Sequence, residues 1–295
     1  MDEKPDLISY FNGEFVPHSQ AVAALQTEEA QSAGGFYDAE RTFNGQVFKL
    51  RQHLERLNNG LTAASIDPGL TIDEMEEVSL KVLEANRDAL GKGNEFVITQ
   101  VVSQVPAQPE DDEPTVNTVI HCQYLDFSGF AHGYTNGVRI ITPATYAVPR
   151  KSPESPPGEA SQRVYLLMTN AEGSITECQG GNFMFVQDGR IKLPDRRHVL
   201  PGISMQTVLE LAEALGIPVD ESDYSTHDVY VAKEAFVSST RLCLVPVATV
   251  NGLRVPGHLP GPVTTTMLDA WRELVGMDFV KQALDHLPDD GSTED

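Results

Sequence analysis

The stretch "LPGISMQTVLELAEALG", residues 200–216, carries the first chemical signal in this chain. Gly202, Ile203 and Ser204 stand where an amphipathic pattern begins, and Gly216 and Pro218 mark where it ends. That pattern predicts a helix opening at Gly202. Unpartnered N–H groups and the positive dipole end at such a terminus suit a phosphate. By itself Ser204 reads equally well as a simple N-cap. A second stretch, "VPRKSPESPPGEASQRVYLLMTN", holds one lysine, Lys151, and four prolines before an apolar run. Lys151 is either a working amine or a surface charge in a loop, and both readings stay open. His121, His132, His198 and His227 show no ligand or triad spacing, and His53 reads as helix packing or a cap. No Gly-x-Ser-x-Gly is present, which removes the strongest hydrolase signal.

The elements that must position these residues mix strands and helices without strict alternation, so the fold class is α+β, or mixed α/β. "ISYFNGEFV" and "GGFYDAERTFNGQVFKL" each alternate around an Asn-Gly turn and read as hairpins. Leu50, Leu54, Leu57 and Leu61 recur at helical spacing. "TIDEMEEVSLKVLEANRDAL" is a second helix, capped by Thr71 with Glu74 three residues on and closed by Gly91. "EFVITQVVSQV" and "TVNTVIHCQYL" read as strands, with the acidic, proline-rich "PAQPEDDEP" between them. The turn-forming "DFSGFAHGYTNG" marks the expected boundary between a smaller N-terminal α+β domain, residues 1–126, and a larger domain, residues 127–295. Beyond it, strands are expected at "VRIITPATYAV", "RVYLLMT", "FMFVQDGRIKLP" and "DVYVAKEAFVSST". "LCLVPVATVNGLRV" reads as another hairpin, "GPVTTTMLDAWRELVG" as a closing helix and "PDDGSTED" as a frayed tail.

Composition narrows the function classes. The 295 residues carry 21 basic and 43 acidic side chains, a formal charge of −22. That field repels nucleic acid and anionic lipid. No apolar run is long enough to span a bilayer, and "MDEKPDLISYFNGEF" lacks the order of a signal peptide. Cys122, Cys178 and Cys243 are scattered and outside any metal spacing, so they read as reduced thiols of a cytoplasmic protein with no zinc site.

Three separated stretches form one pattern: "GFYDAERTFNGQVFKLRQHLERL", "GSITECQGGNFMFVQDGRIKLPDRRHVLPGISMQTVLELAEALGIPV" and "AKEAFVSSTRLCLVPVATVNG". Together they resemble the class IV, fold-type IV, pyridoxal-phosphate enzymes, which include branched-chain and D-amino-acid aminotransferases and aminodeoxychorismate lyase. The most specific part is the second, with an E-x-x-x-x-N run, a D-G turn and an L-x-G-I-[ST] loop. The resemblance implies a two-domain fold, pyridoxal 5'-phosphate as cofactor, a small amino substrate and a homodimer. It assigns the phosphate to Gly202, Ile203, Ser204, Ser239, Thr240 and the charge of Arg56. Glu177 matches the glutamate that pairs with the pyridine nitrogen, and Tyr37 an aromatic of the substrate pocket. Alone, Arg56 would be a solvated helix charge, Glu177 a strand-end carboxylate and Tyr37 a half-buried strand tyrosine.

Two departures follow from the same comparison. The family's lysine forms a Schiff base with the cofactor and shuttles a proton, and a helix normally follows it. Lys151 is the one lysine in that interval here, and the eleven residues between it and Arg163 include Pro153, Pro156, Pro157 and Gly158. A helix of typical length, about 11–12 residues, would carry prolines at roughly 3 kcal/mol each. Either Lys151 is the Schiff-base lysine with the helix deleted, or the lysine is gone and its place falls near Ser161 or Gln162. In the latter case the protein binds a phosphate-bearing ligand or does other chemistry on the same frame. The second departure is on the strand "EFVITQVVSQV", where D-amino-acid aminotransferases carry a carboxylate-gripping arginine and this chain has Val101, Val102 and Ser103.

Overall fold

Four dipeptides set the register of the hairpins. Asn12-Gly13, Asn44-Gly45, Asp188-Gly189 and Asn251-Gly252 all have positive φ at both residues. This is the type I′ geometry whose twist matches that of paired strands. Each joins two strands through a loop of two residues: Phe11↔Glu14, Phe43↔Gln46, Gln187↔Arg190 and Val250↔Leu253 are the closing pairs. The structure is a computed structural model that describes residues 5–25, 35–105, 114–143 and 163–288. Lys151, the positions near Ser161 and Gln162, the loop 106–113 and the tail from 289 lie outside the described residues.

The chain divides into two compact units, residues 1–125 and 126–295. In the first, β1 (Ile8–Phe11), β2 (Glu14–Pro17), β3 (Gly35–Phe43), β4 (Gln46–Val47), β5 (Phe96–Val105) and β6 (Thr115–Tyr124) form a sheet in the order β2-β1-β6-β5-β3-β4. Helix α1 (His18–Leu25) follows β2 directly. Helices α2 (Leu50–Ala63) and α3 (Ile72–Ala85) bury Leu50, Leu54, Leu57, Leu61, Met75, Val82 and Leu83. These pack with Phe96, Ile98, Val102 and Ile120 of the sheet in one cluster. The Thr71–Glu74 capping box forms as expected.

The expected run of α3 to Gly91 is cut short at Ala85. Asn86 is the cause. Its buried side chain accepts from the Ile8 N–H at 2.7 Å and donates to the Ile8 and Val82 carbonyls at 2.8 Å each. The side chain thus closes the helix and anchors β1 at once.

In the second unit, after a helical turn α4 (Gly133–Asn136), the strands are β7 (Val138–Ile141), β8 (Val164–Thr169), β9 (Ile175–Cys178), β10 (Asn182–Gln187), β11 (Arg190–Pro194), β12 (Val219–Ser222), β13 (Glu234–Ser239), β14 (Cys243–Val250) and β15 (Leu253–Arg254). They run in the order β12-β11-β10-β13-β14-β7-β8-β9, with β15 on β14. The β11–β12, β14–β7 and β7–β8 pairs are parallel. Residues Val164–Met168 and Phe183–Val186 are buried without alternation, the pattern of strands covered on both faces. Helices α5 (Ile203–Ala214), α6 (Thr226–Tyr230), α7 (Pro262–Val275) and α8 (Phe279–Asp285) complete the unit. The residues expected to continue one strand from Asp228 are split. Ser225 and Asp228 form a capping box that winds α6, and the strand begins at Glu234. Among the described residues no helix is long and apolar enough to cross a membrane.

Two stability predictions follow. Replacing Asn86 by Ala strands the backbone groups of Ile8 and Val82 and should lower unfolding free energy by about 3 kcal/mol, read from the urea midpoint. The His18 and His121 rings lie 5.0 Å apart. Burial and the charge of His18 push His121 from its ordinary 6.5 down to about 4. Burial also lowers His18, against the attraction of Asp6. The neutral forms therefore suit the fold, and between those two values the unfolded chain binds more protons. Stability is full above about pH 6.5 and falls as pH drops towards about 4, by on the order of 3 kcal/mol. The variant His121→Phe should flatten that slope.

Candidate functional site

The residues that the sequence singles out fall into two groups, one in each unit. In the first unit, β3 alternates, so that Asp38 and Glu40 share the buried face while Tyr37 points the other way. Helix α2 brings His53 and Arg56 to Asp38. Arg56 donates through Nε to Asp38 Oδ2 at 2.8 Å and through Nη2 to Oδ1 at 2.6 Å. His53 Nδ1 lies 2.8 Å from Oδ1, and the Ala39 N–H also reaches that oxygen at 2.8 Å. Asp38 is 2 % exposed. Burial pushes its carboxyl up, but the hydrogen bonds from His53 and Arg56 outweigh that and hold it below the usual range. Arg56 is thus a pinned cation rather than a freely solvated one, and His53 does more than pack.

Asp38, Glu40 and His53 bring ligand-type atoms within 4.8 Å of one another. The donors already on Asp38 and the guanidinium against it make this an anchor for Arg56, not a place for a cation. Glu40 is fully buried beside it. Gln100 donates to its Oε1 at 2.5 Å, and Oε2 has no partner among the described residues. Burial raises its carboxyl well above the usual range, against the hydrogen bond from Gln100. Tyr37 is 74 % exposed, neither walled in nor half-buried within its own unit.

In the second unit, the start of β10 gathers the other residues. Gly202 is the N-cap of α5, and Ile203, Ser204 and Met205 form its first turn. Their N–H groups have no intrahelical acceptor. A Cβ on Gly202 would lie 2.0 Å from Asn182 Oδ1, so only glycine fits while Asn182 stays in place. Ser204 is 8 % exposed, and its hydroxyl makes no hydrogen bond among the described residues. The cap is Gly202, so the N-cap reading of Ser204 fails.

Glu177, near the end of β9, is half-buried, and its Oε2 accepts the Leu200 N–H at 2.5 Å. Burial raises its carboxyl above the ordinary value despite the backbone N–H groups of Leu200 and Cys178. Asn182 pairs across the sheet with Ser238, so Ser239 ends β13, and Thr240 follows it, where β10 begins. The structure therefore brings Glu177, Gly202, Ile203, Ser204, Ser239 and Thr240 to one end of this sheet. Arg56 and Tyr37 belong to the other unit, and Lys151 lies outside the described residues.

Asp38 and Asn182 carry weight that the sequence did not reveal. A signal existed for Asp38, since an acidic residue on the buried face of a strand needs hydrogen-bond donors, and the facing leucine-rich helix carries His53 and Arg56. Asn182 was visible only as the end of the E-x-x-x-x-N run.

A family model described as amino-transferase class IV matches residues 159–250. The chain is 27 % identical over 279 residues to the protein called "Putative branched-chain-amino-acid aminotransferase" of Methanocaldococcus jannaschii, covering 90 % of this chain and 95 % of that one. The crystal structure of Escherichia coli branched-chain amino acid aminotransferase superposes with a TM-score of 0.77 at 22 % identity, over 92 % of this chain and 95 % of the other. The T.th. branched-chain amino acid aminotransferase, solved with pyridoxamine 5'-phosphate, gives 0.72 at 20 % identity, over 93 % and 96 %. These likenesses establish that the chain has the fold of those aminotransferases, and residues 159–250 carry the segment that the amino-transferase class IV model describes.

Proposed function

We propose that the chain is a pyridoxal-5'-phosphate-dependent transaminase of a small aliphatic amino acid, with Lys151 as the amine that takes the cofactor aldehyde. The observation that carries this reading is the hydrogen bond from the Leu200 N–H to Glu177. It fixes a half-buried carboxylate to the loop that opens α5, which gives one group for a pyridine nitrogen and one for a phosphate.

The residues present fit that cofactor. Gly202 leaves the helix N-terminus bare of side chain, and Ser204 offers a hydroxyl that nothing else engages among the described residues. When bound, pyridoxal phosphate supplies an electron sink for the bond broken at the substrate α-carbon. The amides of Ile203 and Ser204 and the hydroxyls of Ser204, Ser239 and Thr240 hold the phosphate. Glu177 keeps the proton on the ring nitrogen by a charge-assisted hydrogen bond. Lys151 Nζ moves the proton at the α-carbon. The roles of Arg56 at the phosphate and Tyr37 at the substrate come from the sequence resemblance, as does a homodimer. Asp38 gives Arg56 its fixed aim. The relatives' names point to branched-chain substrates, and the uncharged Val101, Val102 and Ser103 on β5 accord with an aliphatic one.

The proline-dense residues after Lys151 favour one second reading: the same pocket without a lysine amine, binding a phosphate-bearing ligand non-covalently. Borohydride separates the two. Reduction of the protein saturated with pyridoxal phosphate should fix a pyridoxyl group on Lys151, seen by peptide mass, and Lys151→Ala should lose both the label and the yellow colour. A saturated protein that is colourless and unlabelled would establish the second reading instead. The variant Glu177→Gln should lower kcat by about a hundredfold or more while cofactor affinity changes far less. An unchanged kcat would remove Glu177 from the mechanism.

A further inference from the structure

Both backbone polar groups of Leu200 are held by the two polar members of the E-x-x-x-x-N run. Its N–H donates to Glu177 Oε2 at 2.5 Å. Its carbonyl accepts from Asn182 Nδ2 at 3.0 Å, and from the Gly202 N–H at 2.7 Å across Pro201. That last contact closes a three-residue turn. Leu200 itself is 55 % exposed, so burial does little to hold the loop. Asn182 is 6 % exposed and sits on β10, a strand paired on both sides. Its two ends do different work: Nδ2 holds the Leu200 carbonyl, and Oδ1 occupies the space that a side chain at 202 would need.

From these contacts we propose that Asn182 is a positioning residue for the phosphate cradle. By holding the Leu200 carbonyl while Glu177 holds the Leu200 N–H, it ties the loop before α5 to the sheet end, which sets the separation between the ring-nitrogen carboxylate and the phosphate-binding amides. This deepens the cofactor reading above and rests on it. Without the Asn182 donor, the Leu200 carbonyl keeps only its local turn contact, and the amides at 203–205 are no longer referenced to the sheet. A ligand that engages both ends of the site then suffers, because it must order the loop as it binds. A ligand that engages only the ring end does not.

The test compares pyridoxal 5'-phosphate with pyridoxal, which has the ring and lacks the phosphate, on wild type, Asn182→Ala and Asn182→Asp. The aspartate variant keeps the shape of the side chain and loses the Nδ2 donor, so it serves where the alanine variant folds poorly. Both variants should bind pyridoxal phosphate at least tenfold more weakly by calorimetry and bind pyridoxal within twofold of wild type. Hydrogen exchange at the amides of 200–206 should accelerate in both, with β13 and β14 unchanged. Equal weakening of both ligands would mean a merely structural role and would overturn the proposal, as would unchanged exchange and unchanged affinity. Wild type that binds neither ligand would overturn the cofactor reading itself, and the positioning role with it. That outcome is distinct from clamp failure, in which wild type binds pyridoxal phosphate normally.

Discussion

The backbone N–H and carbonyl of one residue, Leu200, set the geometry of the loop that opens α5 in the second unit. A helix N-terminus binds anions only as well as its amides are aimed, and a loop between a strand and a helix has no ladder of its own to aim them. Here the aim comes from β9 and β10, whose side chains reach across to the loop. The sheet beneath is made of strands buried on both faces, so its positions are fixed by packing. The chain from burial to function is short: an apolar sheet core, two polar side chains at its end, the backbone of one residue, and the first turn of α5.

The first unit uses a different device for the same need. Arg56 lies on a helix surface, where an arginine would sample many rotamers. The bidentate contact with Asp38 removes that freedom, and the His53 and Ala39 contacts keep Asp38 from turning. A buried carboxylate with one cation is costly unless its oxygens are filled by further donors. Asp38 meets that condition. Glu40, two residues on, has no cation within hydrogen-bonding reach among the described residues, and burial raises its carboxyl well above the usual range.

The sequence carried the local parts of the fold well. The hairpin dipeptides, the leucines of α2 and the capping box of α3 are all encoded within a few residues, and each appears where its pattern places it. What failed was decided by distant partners. The end of α3 depends on Asn86 reaching β1, 78 residues away in sequence, and no periodicity contains that contact. The strand expected through Asp228 was lost to a capping box with aspartate in place of the usual glutamate. Motif order singled out Glu177 and the Gly202–Ser204 turn because those residues sit in one continuous segment, and the fold brings them to one end of the sheet. Asn182 and Asp38 stayed hidden, because what they do is hold other residues, and holding is a property of the folded state.

The four two-residue turns have a further consequence, for the order in which the chain assembles. A contact between neighbours in sequence costs little loop entropy, and hairpins close in about 1–10 μs. The pairs β1–β2, β3–β4, β10–β11 and β14–β15 are of that kind. The β1–β6 pair joins Tyr10 to Ile120, and the parallel β14–β7 pair joins Val247 to Val138. Both must wait for long loops to close. The turns therefore produce preformed ribbons first, and the slow step in each unit is the docking of ribbons whose internal register is already set.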